Sequence, residues 1–484
     1  MNNLVVFSDL KDITIKELRQ FENTDRDRPE FDNKYLKMVY FFLYEGVIST
    51  LRKFFAHKQP QVRYLTFLSI ERDSKKYINI SVQSQTKPAD FVIENKFYPY
   101  ERIDFDQINS NLEKYIEEFN QYSGAYHYEE FGIDTSHFIS PDTTERVYNE
   151  NFDEGLFIYG LGGYIKMYVI KHFKKSLPKI ACTDYKAGVT NSFRDKYGFR
   201  YGLLTPRSSY PLIQKVKSPA VIIATYHSDH TTLACDIFNL NHKARIFIEK
   251  PPVVTLEDLA KILELYKSNA LLEMGFNRRF IGYSRYVREK VQGAVVMITC
   301  SVKEVLISNN HWYLWPNQGT RITGNAVHWF DLANYWTGSM PIEINVIAGP
   351  DDNESVALSV LYKNGSILHL MASDKGNSMR GVQEKIEIRF NNETIFINDF
   401  MSLSHIKNNG FQIKKRKIRR DKGHDAMYKS FHQIIRNRKS SEYSAYDLIN
   451  TSIVTYYASK MLLGKERNMH IESEIIRFRK MLET

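Results

Sequence analysis

One side chain in this sequence stands where packing alone gives it little to do. The apolar run Ile246-Phe247-Ile248 ends in Glu249-Lys250-Pro251-Pro252, so a charged pair sits at the exit of what reads as a buried strand. Desolvation disfavours an ammonium there and lowers a lysine pKa toward the range useful for proton exchange. Further along, His328 opens His328-Trp329-Phe330-Asp331. An imidazole with an ordinary pKa of roughly 6.5 accepts or releases a proton near neutrality, or steadies a developing alkoxide. Together the two groups are suited to moving the proton of a hydroxyl. The plainer alternative pairs Lys250 with a surface acid and packs His328 beside Trp329 and Trp312.

A glycine cluster adds a binding element. Gly160-Leu161-Gly162-Gly163-Tyr164-Ile165 follows an apolar strand and opens a helix. Glycines there allow a tight turn and let the backbone approach a pyrophosphate at the helix N-terminus, which is how a dinucleotide is held. The third position is Ile165 where glycine or alanine is usual, so the stretch also reads as a simple glycine-rich β-α turn. Asp184, 22 residues past Gly162, ends the next strand, where a carboxylate accepts hydrogen bonds from ribose hydroxyls and slightly favours NAD over NADP. Lys186 close by could instead meet a 2′-phosphate. Thr225, His227 and His230 follow a further strand, at the carboxyl edge where open α/β sheets hold ligands. No metal is expected, because the H-x-x-H spacing of His227 and His230 has no cysteine or further carboxylate at ligand spacing. Cys182, Cys235 and Cys300 form no C-x-x-C pair, which suits a reducing cytoplasm.

A sheet has to position these groups. Short apolar strands alternate with amphipathic helices at Leu156 to Tyr159, Lys179 to Thr183, Ala220 to Thr225, Arg245 to Ile248 and Leu271 to Gly275. The alternation predicts an α/β fold, a Rossmann-like parallel sheet domain over residues 151–275. After Arg279 the pattern becomes Ile386, Ile388 and Phe390, an Asn391-Asn392 turn, then Ile395 and Ile397. That predicts an α+β domain over 276–484 with a mainly antiparallel sheet wet on one face. Two helices close it, one after Gly423-His424 carrying Tyr428, Phe431 and Ile435, the other from Tyr446 to Leu463.

Residues 1–150 read as a small α+β domain of unknown role. A helix from Lys34 to Phe55 carries Leu36, Val39, Leu43, Val47 and Leu51 on one face. Strands at Val62 to Ile70 and Tyr77 to Val82 flank a hairpin loop at Asp73-Ser74-Lys75-Lys76. A second helix, opened by Asp104 and Gln107, aligns Ile108, Leu112, Tyr115, Ile116 and Phe119. The polar stretch from Ser140 to Glu154 is a predicted connector.

With 484 residues, 43% of them hydrophobic, the chain can bury two or three cores. It has no apolar run of about 18 residues and no leader-like start, so a soluble cytoplasmic protein with no membrane partner is expected. The formal charge of +10 is partly concentrated in Lys414-Lys415-Arg416-Lys417-Ile418-Arg419-Arg420, read as a solvated edge strand with no nucleic-acid partner. A basic balance equally suits a phosphorylated cofactor or nucleotide-linked substrate.

Glu249-Lys250-Pro251 after a parallel strand, with a G-x-G turn 89 residues earlier, resembles the Gfo/Idh/MocA family of glucose-fructose oxidoreductase and inositol dehydrogenase. Gly275-Phe276-Asn277-Arg278-Arg279-Phe280 resembles that family's passage into its C-terminal domain, and His328-Trp329-Phe330-Asp331 its H-x-x-D signature. The resemblance covers roughly residues 156 to 465. It is closest to a branch in which such a unit follows a zinc-alcohol-dehydrogenase-like half, through His311-Trp312, Gly319-Thr320-Arg321-Ile322-Thr323-Gly324 and Lys422-Gly423-His424.

The resemblance implies an NAD(P)-dependent oxidoreductase acting on CH–OH groups of a sugar, nucleotide-linked sugar or cyclitol, by analogy in polysaccharide biosynthesis. It also implies a homo-dimer or tetramer, with the open sheet of the second domain covering a small sugar-like substrate. Lys250 and His328 are its catalytic candidates. Gly160, Gly162, Gly163, Tyr164, Ile165, Asp184, Thr225, His227, His230, Glu249, Lys250 and Pro251 are its cofactor-binding candidates, with the Lys250-Pro251 bond often cis in the family. His311, Trp312, Arg321, Asn325 and Asp331 are its substrate-binding candidates, Asp331 also as orienter of the imidazole or as a helix cap. Two departures stand out. Gly324 occupies the position where many members carry an aspartate, so His328 acts without that carboxylate, and the first 150 residues are too short for an alcohol-dehydrogenase half and lack its cysteine ligands. Ile165 and Gly324 favour a second reading, a catalytically reduced nucleotide-binding or scaffold protein with an oxidoreductase fold.

Overall fold

The computed structural model describes residues 151–483 apart from 174–176, 185–186, 204–205, 306–317, 349–354, 377–380, 437–439 and 465, together with short segments of the first 150. Six strands, β1 (Phe152–Tyr159), β2 (Lys179–Thr183), β3 (Tyr201–Leu203), β4 (Val216–Ile223), β5 (Arg245–Ile248) and β6 (Leu271–Met274), form one sheet in the order β3-β2-β1-β4-β5-β6. Every pairing in it is parallel. Parallel strands lie under helices on both faces, which is why Leu156 to Tyr159 and Ala220 to Ile223 are continuous apolar runs, all buried. Both strands start earlier than their apolar runs. Glu154, expected in a connector, pairs with Ser218 of β4, since ladder hydrogen bonds extend a strand beyond its buried part. The short β3 has no apolar run and escapes a pattern-based reading.

Helices α1 (Ala187–Tyr197), α2 (Tyr210–Lys215), α3 (His230–Leu240) and α4 (Leu256–Lys267) provide crossovers. The chain moves outward from β1 to β2 and β3, then returns to β4 on the opposite side. The crevice at the carboxyl ends of β1 and β4 is therefore the topological switch point, where such sheets bind ligands.

The second sheet has nine strands: β7 (Val296–Lys303), β8 (Pro341–Ala348), β9 (Val356–Tyr362), β10 (Ile367–Ser373), β11 (Gln383–Phe390), β12 (Glu393–Asn398), β13 (Ser402–Ile406), β14 (Gln412–Arg416) and β15 (Asn468–His470). Their order is β14-β13-β12-β11-β7-β10-β9-β8-β15, and only β7 and β10 pair in parallel. Alternation gives it one dry face. Val296, Ile298, Cys300 and Val302 are buried in one core with residues of α5 (Gly282–Val291), α6 (Val327–Thr337) and α8 (Ala445–Gly464), while Met297, Met371 and Phe396 are exposed on the other side. The expected Asn391-Asn392 turn joins β11 to β12, with Asn391 at φ 47°. The lysine-rich β14 is an exposed edge strand, a composition that discourages pairing with another chain.

The helix after Gly423, α7 (His424–Ile435), does not pack on this second sheet. Met427, Tyr428, Phe431 and Ile434 share a core with Leu156, Ile158 and Phe247 of the parallel sheet. A third closing helix, α9 (Glu472–Glu483), follows the two expected.

Within the first 150 residues, Leu65–Ser69 and Asn79–Ser84 coincide with the two expected strands and pair antiparallel in a four-stranded sheet with Asn2–Phe7 and Leu18–Glu22. Of the face expected on the first helix, Val39, Leu43, Val47 and Leu51 are helical and exposed and Leu36 lies outside the described residues, while Thr50 is buried and Gly46 lies against Arg419. The helix expected after Asp104 lies outside the described residues. No described helix is long and apolar enough to cross a membrane.

Candidate active site

The glycine turn lies at the switch point. Gly160 has φ 83°, and a Cβ on it would stand 2.2 Å from the Ala224 carbonyl oxygen at the end of β4. Only glycine fits there. At Gly162 a Cβ would meet nothing within 4 Å, so the surface above the turn is clear for a pyrophosphate. Gly163 and Tyr164 begin the helix, and Ile165, in place of the third glycine, is buried with Leu161, Val169 and Phe173 where the winding becomes π over Ile165–Val169. Asp184 reaches back to this turn, its Oδ2 accepting the Leu161 N–H at 2.8 Å.

Glu249, Lys250 and Pro251 leave the end of β5 through a cis Lys250-Pro251 bond. Glu249 is buried and accepts the hydroxyl of Tyr428, which lies 3.0 Å from the hydroxyl of Tyr164. Burial raises its pKa, opposed by the Tyr428 and Tyr164 hydroxyls. Tyr164, a cofactor candidate from the sequence, thus also belongs to a buried network that pins the strand end. His230 ties β4 to the same segment through Nδ1, 2.8 Å from the Pro251 carbonyl, and Nε2, 3.3 Å from the Thr225 carbonyl. Burial pushes its pKa down to about 4, so the ring is neutral. His227 Nδ1 meets the Gln318 carbonyl at 3.0 Å. Among the described residues no group of three or more histidines, cysteines or carboxylates could hold a metal.

Lys250 turns toward the helix that carries His328. Its Nζ donates to the Gly324 carbonyl at 2.5 Å, so the position where the family often has an aspartate offers a main-chain oxygen instead. Gly324 lies in a π-helical turn, Ile322–Ala326, that leads directly into α6. His328 is 9% exposed and its Nδ1 has no hydrogen-bond partner among the described residues. Burial first, then the charges of Arg278, Lys250 and Lys422, hold its pKa well below the usual imidazole value.

Beside it is a cavity of about 170 Å³ lined by Asn277, Arg278, Glu304, Asn325, His328, Trp329, Val382, Lys422 and His424. Asn325, expected there, donates to Glu304 Oε2 at 3.0 Å. Arg321 is one layer back, donating to the Val305 carbonyl at 3.1 Å and 3.9 Å from Glu304. Asp331 is not brought to the cavity wall. Its two oxygens accept from Arg279 at 2.8 and 2.7 Å, so it neither orients His328 nor caps a helix. His311 and Trp312 lie outside the described residues. A larger hollow of about 610 Å³, on the outer face of the second sheet, shares no lining residue with this one.

Arg278, Glu304, Glu384, Lys422 and His424 were not singled out from sequence. Arg278, Lys422 and His424 sit inside motifs quoted for other reasons, which is the signal that was available. Glu304 and Glu384 lie on or beside different strands, and no local pattern shows that they converge.

No family model matches the chain. Among curated proteins it is similar to the myo-inositol 2-dehydrogenase of Thermotoga maritima, 23% identical over 224 residues, covering 43% of this chain and 64% of that protein. It is also 27% identical over 124 residues to glycosyl hydrolase family 109 protein 2 of Akkermansia muciniphila, covering 24% of this chain and 26% of the other. The chain thus spans less than two thirds of the curated relatives it matches. Solved structures match more completely. Aldose-aldose oxidoreductase from Caulobacter crescentus superposes with TM-score 0.56 at 16% identity, over 66% of this chain and 100% of the other. Levoglucosan dehydrogenase in complex with NADH superposes with TM-score 0.54 at 15% identity, over 66% and 99%. The likeness leaves the N-terminal region uncovered, and over the remainder the chain has the fold of those Gfo/Idh/MocA-type oxidoreductases.

Proposed function

We propose that this protein is an NAD(P)-dependent oxidoreductase that transfers hydride between a nicotinamide and a CH–OH or carbonyl carbon of a sugar, nucleotide-linked sugar or cyclitol. One observation carries the reading: Lys250 and His328, distant in sequence, come to the same helix, the ammonium held by the Gly324 carbonyl just before it and the imidazole on it, lining a cavity. Gly160, Gly162 and Gly163 would hold the pyrophosphate, and Asp184 beside that turn favours NAD. When bound, the nicotinamide supplies the two-electron acceptor or donor.

The chain's own residues manage the proton. A neutral His328 accepts it from the substrate hydroxyl as the carbon is oxidised and returns it in the reverse direction. Lys250, oriented by Gly324, donates a hydrogen bond to the same oxygen and steadies it as an alkoxide. Exposed Met297, Met371 and Phe396 on the outer face of the second sheet support assembly into a homo-oligomer. The scaffold reading draws on Gly324, which removes a carboxylate from beside the imidazole.

Fluorescence titration with NADH and NADPH, followed by turnover on a sugar and cyclitol panel with Lys250→Ala and His328→Ala, separates the two. Nucleotide binding with turnover that both substitutions abolish is the expected result. Binding without lysine-dependent turnover favours the scaffold, and binding of neither nucleotide removes both readings.

A further inference from the structure

His424 is a second imidazole in the cavity wall, and the backbone holds it there. Gly423 before it has φ 82°, and a Cβ on it would stand 2.1 Å from the Asn277 carbonyl oxygen, so only glycine lets the chain pass this close. The Asn277 side chain fastens the same place, its Nδ2 donating to the Lys422 carbonyl at 2.6 Å. The ring is then fixed between aromatic neighbours. It stacks on Tyr168 with centroids 4.2 Å and planes 20° apart, and meets Tyr164 edge-on at 5.7 Å.

What this ring lacks is a polar partner. Among the described residues neither of its nitrogens takes part in a hydrogen bond, and neither is sealed from accessible space. The same holds for Nε2 of His328. Other polar groups of the wall are engaged with one another: Arg278 and Lys422 meet Glu384, and Asn325 donates to Glu304, whose carboxylate also feels Arg278 and Lys422. Burial, then Arg278, hold the pKa of both imidazoles well below the usual value. Two neutral rings result, each with one donor and one acceptor. Hydroxyl groups, which donate and accept, complement such rings without bringing charge into a buried place. The rings come from different helices, α6 and α7, onto one space of about 170 Å³, below the roughly 300–1,000 Å³ of pockets for drug-sized ligands. Both therefore address the same small ligand.

Resting on the oxidoreductase reading, we infer that His424 is a substrate-binding residue that holds a second hydroxyl of the sugar or cyclitol ring, while His328 and Lys250 attend to the reacting one. A site built to hydrogen-bond a hydroxyl rejects the analogue that lacks it, because the group in the wall is then left unpaired. His424 makes the enzyme selective for a polyol over its deoxy counterpart at one ring position.

The test uses the full chain with NAD or NADP and measures initial rates on D-glucose, D-galactose and myo-inositol, each beside its singly deoxygenated analogues. For the compound turned over, removing one hydroxyl other than the reacting one should lower kcat/KM by about tenfold or more. His424→Phe keeps a ring to stack on Tyr168 and removes both nitrogens. It should raise KM for the intact compound by about tenfold and no longer distinguish it from that deoxy analogue, with kcat, nucleotide affinity and melting temperature near the parent values. His424→Gln, which restores a donor and an acceptor, should recover part of the discrimination. Discrimination that survives His424→Phe, its absence from the parent protein, or a variant altered chiefly in nucleotide affinity or kcat overturns the inference. No turnover of any of the three compounds with either nucleotide overturns the oxidoreductase reading, and this inference with it.

Discussion

Gly160 and Gly162 lie two residues apart in one turn, yet substituting alanine at each should have opposite consequences. At Gly160 the backbone has φ 83°, and an alanine Cβ would stand 2.2 Å from the Ala224 oxygen and 2.6 Å from its carbonyl carbon. The left-handed conformation costs an L-residue roughly 1–2 kcal/mol. Forcing a methyl group into packed backbone adds about 1–3 kcal/mol, and because Ala224 is main chain at the end of β4, no side chain can swing away. The sum is ~2–5 kcal/mol, or roughly 4–20 °C in melting temperature at about 2–4 °C per kcal/mol. At Gly162 no such contact lies within 4 Å, so Gly162→Ala should melt within ~0.5 kcal/mol of the parent. Its methyl group would project into the space left for the pyrophosphate and weaken NADH binding by about tenfold or more. Thermal melts and fluorescence titration of both variants decide the matter. A Gly160→Ala protein as stable as the parent, or a Gly162→Ala protein that binds NADH normally, would refute the assignment of these glycines.

His328→Ala and Lys250→Ala should each lower kcat by roughly 10²–10⁴, and with His328→Ala the nucleotide affinity, read by fluorescence, should stay near the parent value. Asp331→Ala should leave Arg279 with Asp447, 3.2 Å away, as its carboxylate partner and cost ~1–3 kcal/mol in urea unfolding, marking Asp331 as structural, whereas no measurable change would contradict the ion pair described. His230 should titrate near pH 4 by NMR of its ring protons, against about 6.5 in the unfolded chain. The unfolded state binds the proton first, so the stability carried by this neutral ring is complete above about pH 6.5 and is lost as pH falls toward 4. A ring titrating near 6.5 in the folded protein would show that it is not buried as described.

The parallel sheet was legible because its strands are buried on both faces and announce themselves as apolar runs between amphipathic helices. What escaped notice, β3 and the first residues of β1 and β4, has ladder hydrogen bonds but little apolar surface. Lys250 was legible for a related reason, since a charge at the end of an apolar strand conflicts with burial and so calls for a purpose, and His328 through the resemblance of His328-Trp329-Phe330-Asp331 to a known signature. The rest of the cavity was not. Glu304 and Glu384 look like ordinary surface charges in sequence, and only the meeting of β7, β11 and the segment before α7 shows that they compensate Arg278 and Lys422. Asp331 illustrates the reverse error, since its spacing from His328 suggested a catalytic partner while its carboxylate belongs to Arg279.

The position of α7 makes the nucleotide-binding half discontinuous in sequence. Its helix covers Leu156, Ile158 and Phe247, so a fragment ending at residue 275 would leave that apolar face bare to water. The same short segment begins with His424 in the cavity wall and carries Tyr428 to Glu249 and Tyr164. The two halves are thus bound together like a clasp through its own hinge: neither can be expressed, exchanged or evolved as an independent cassette without taking residues 424–435 along.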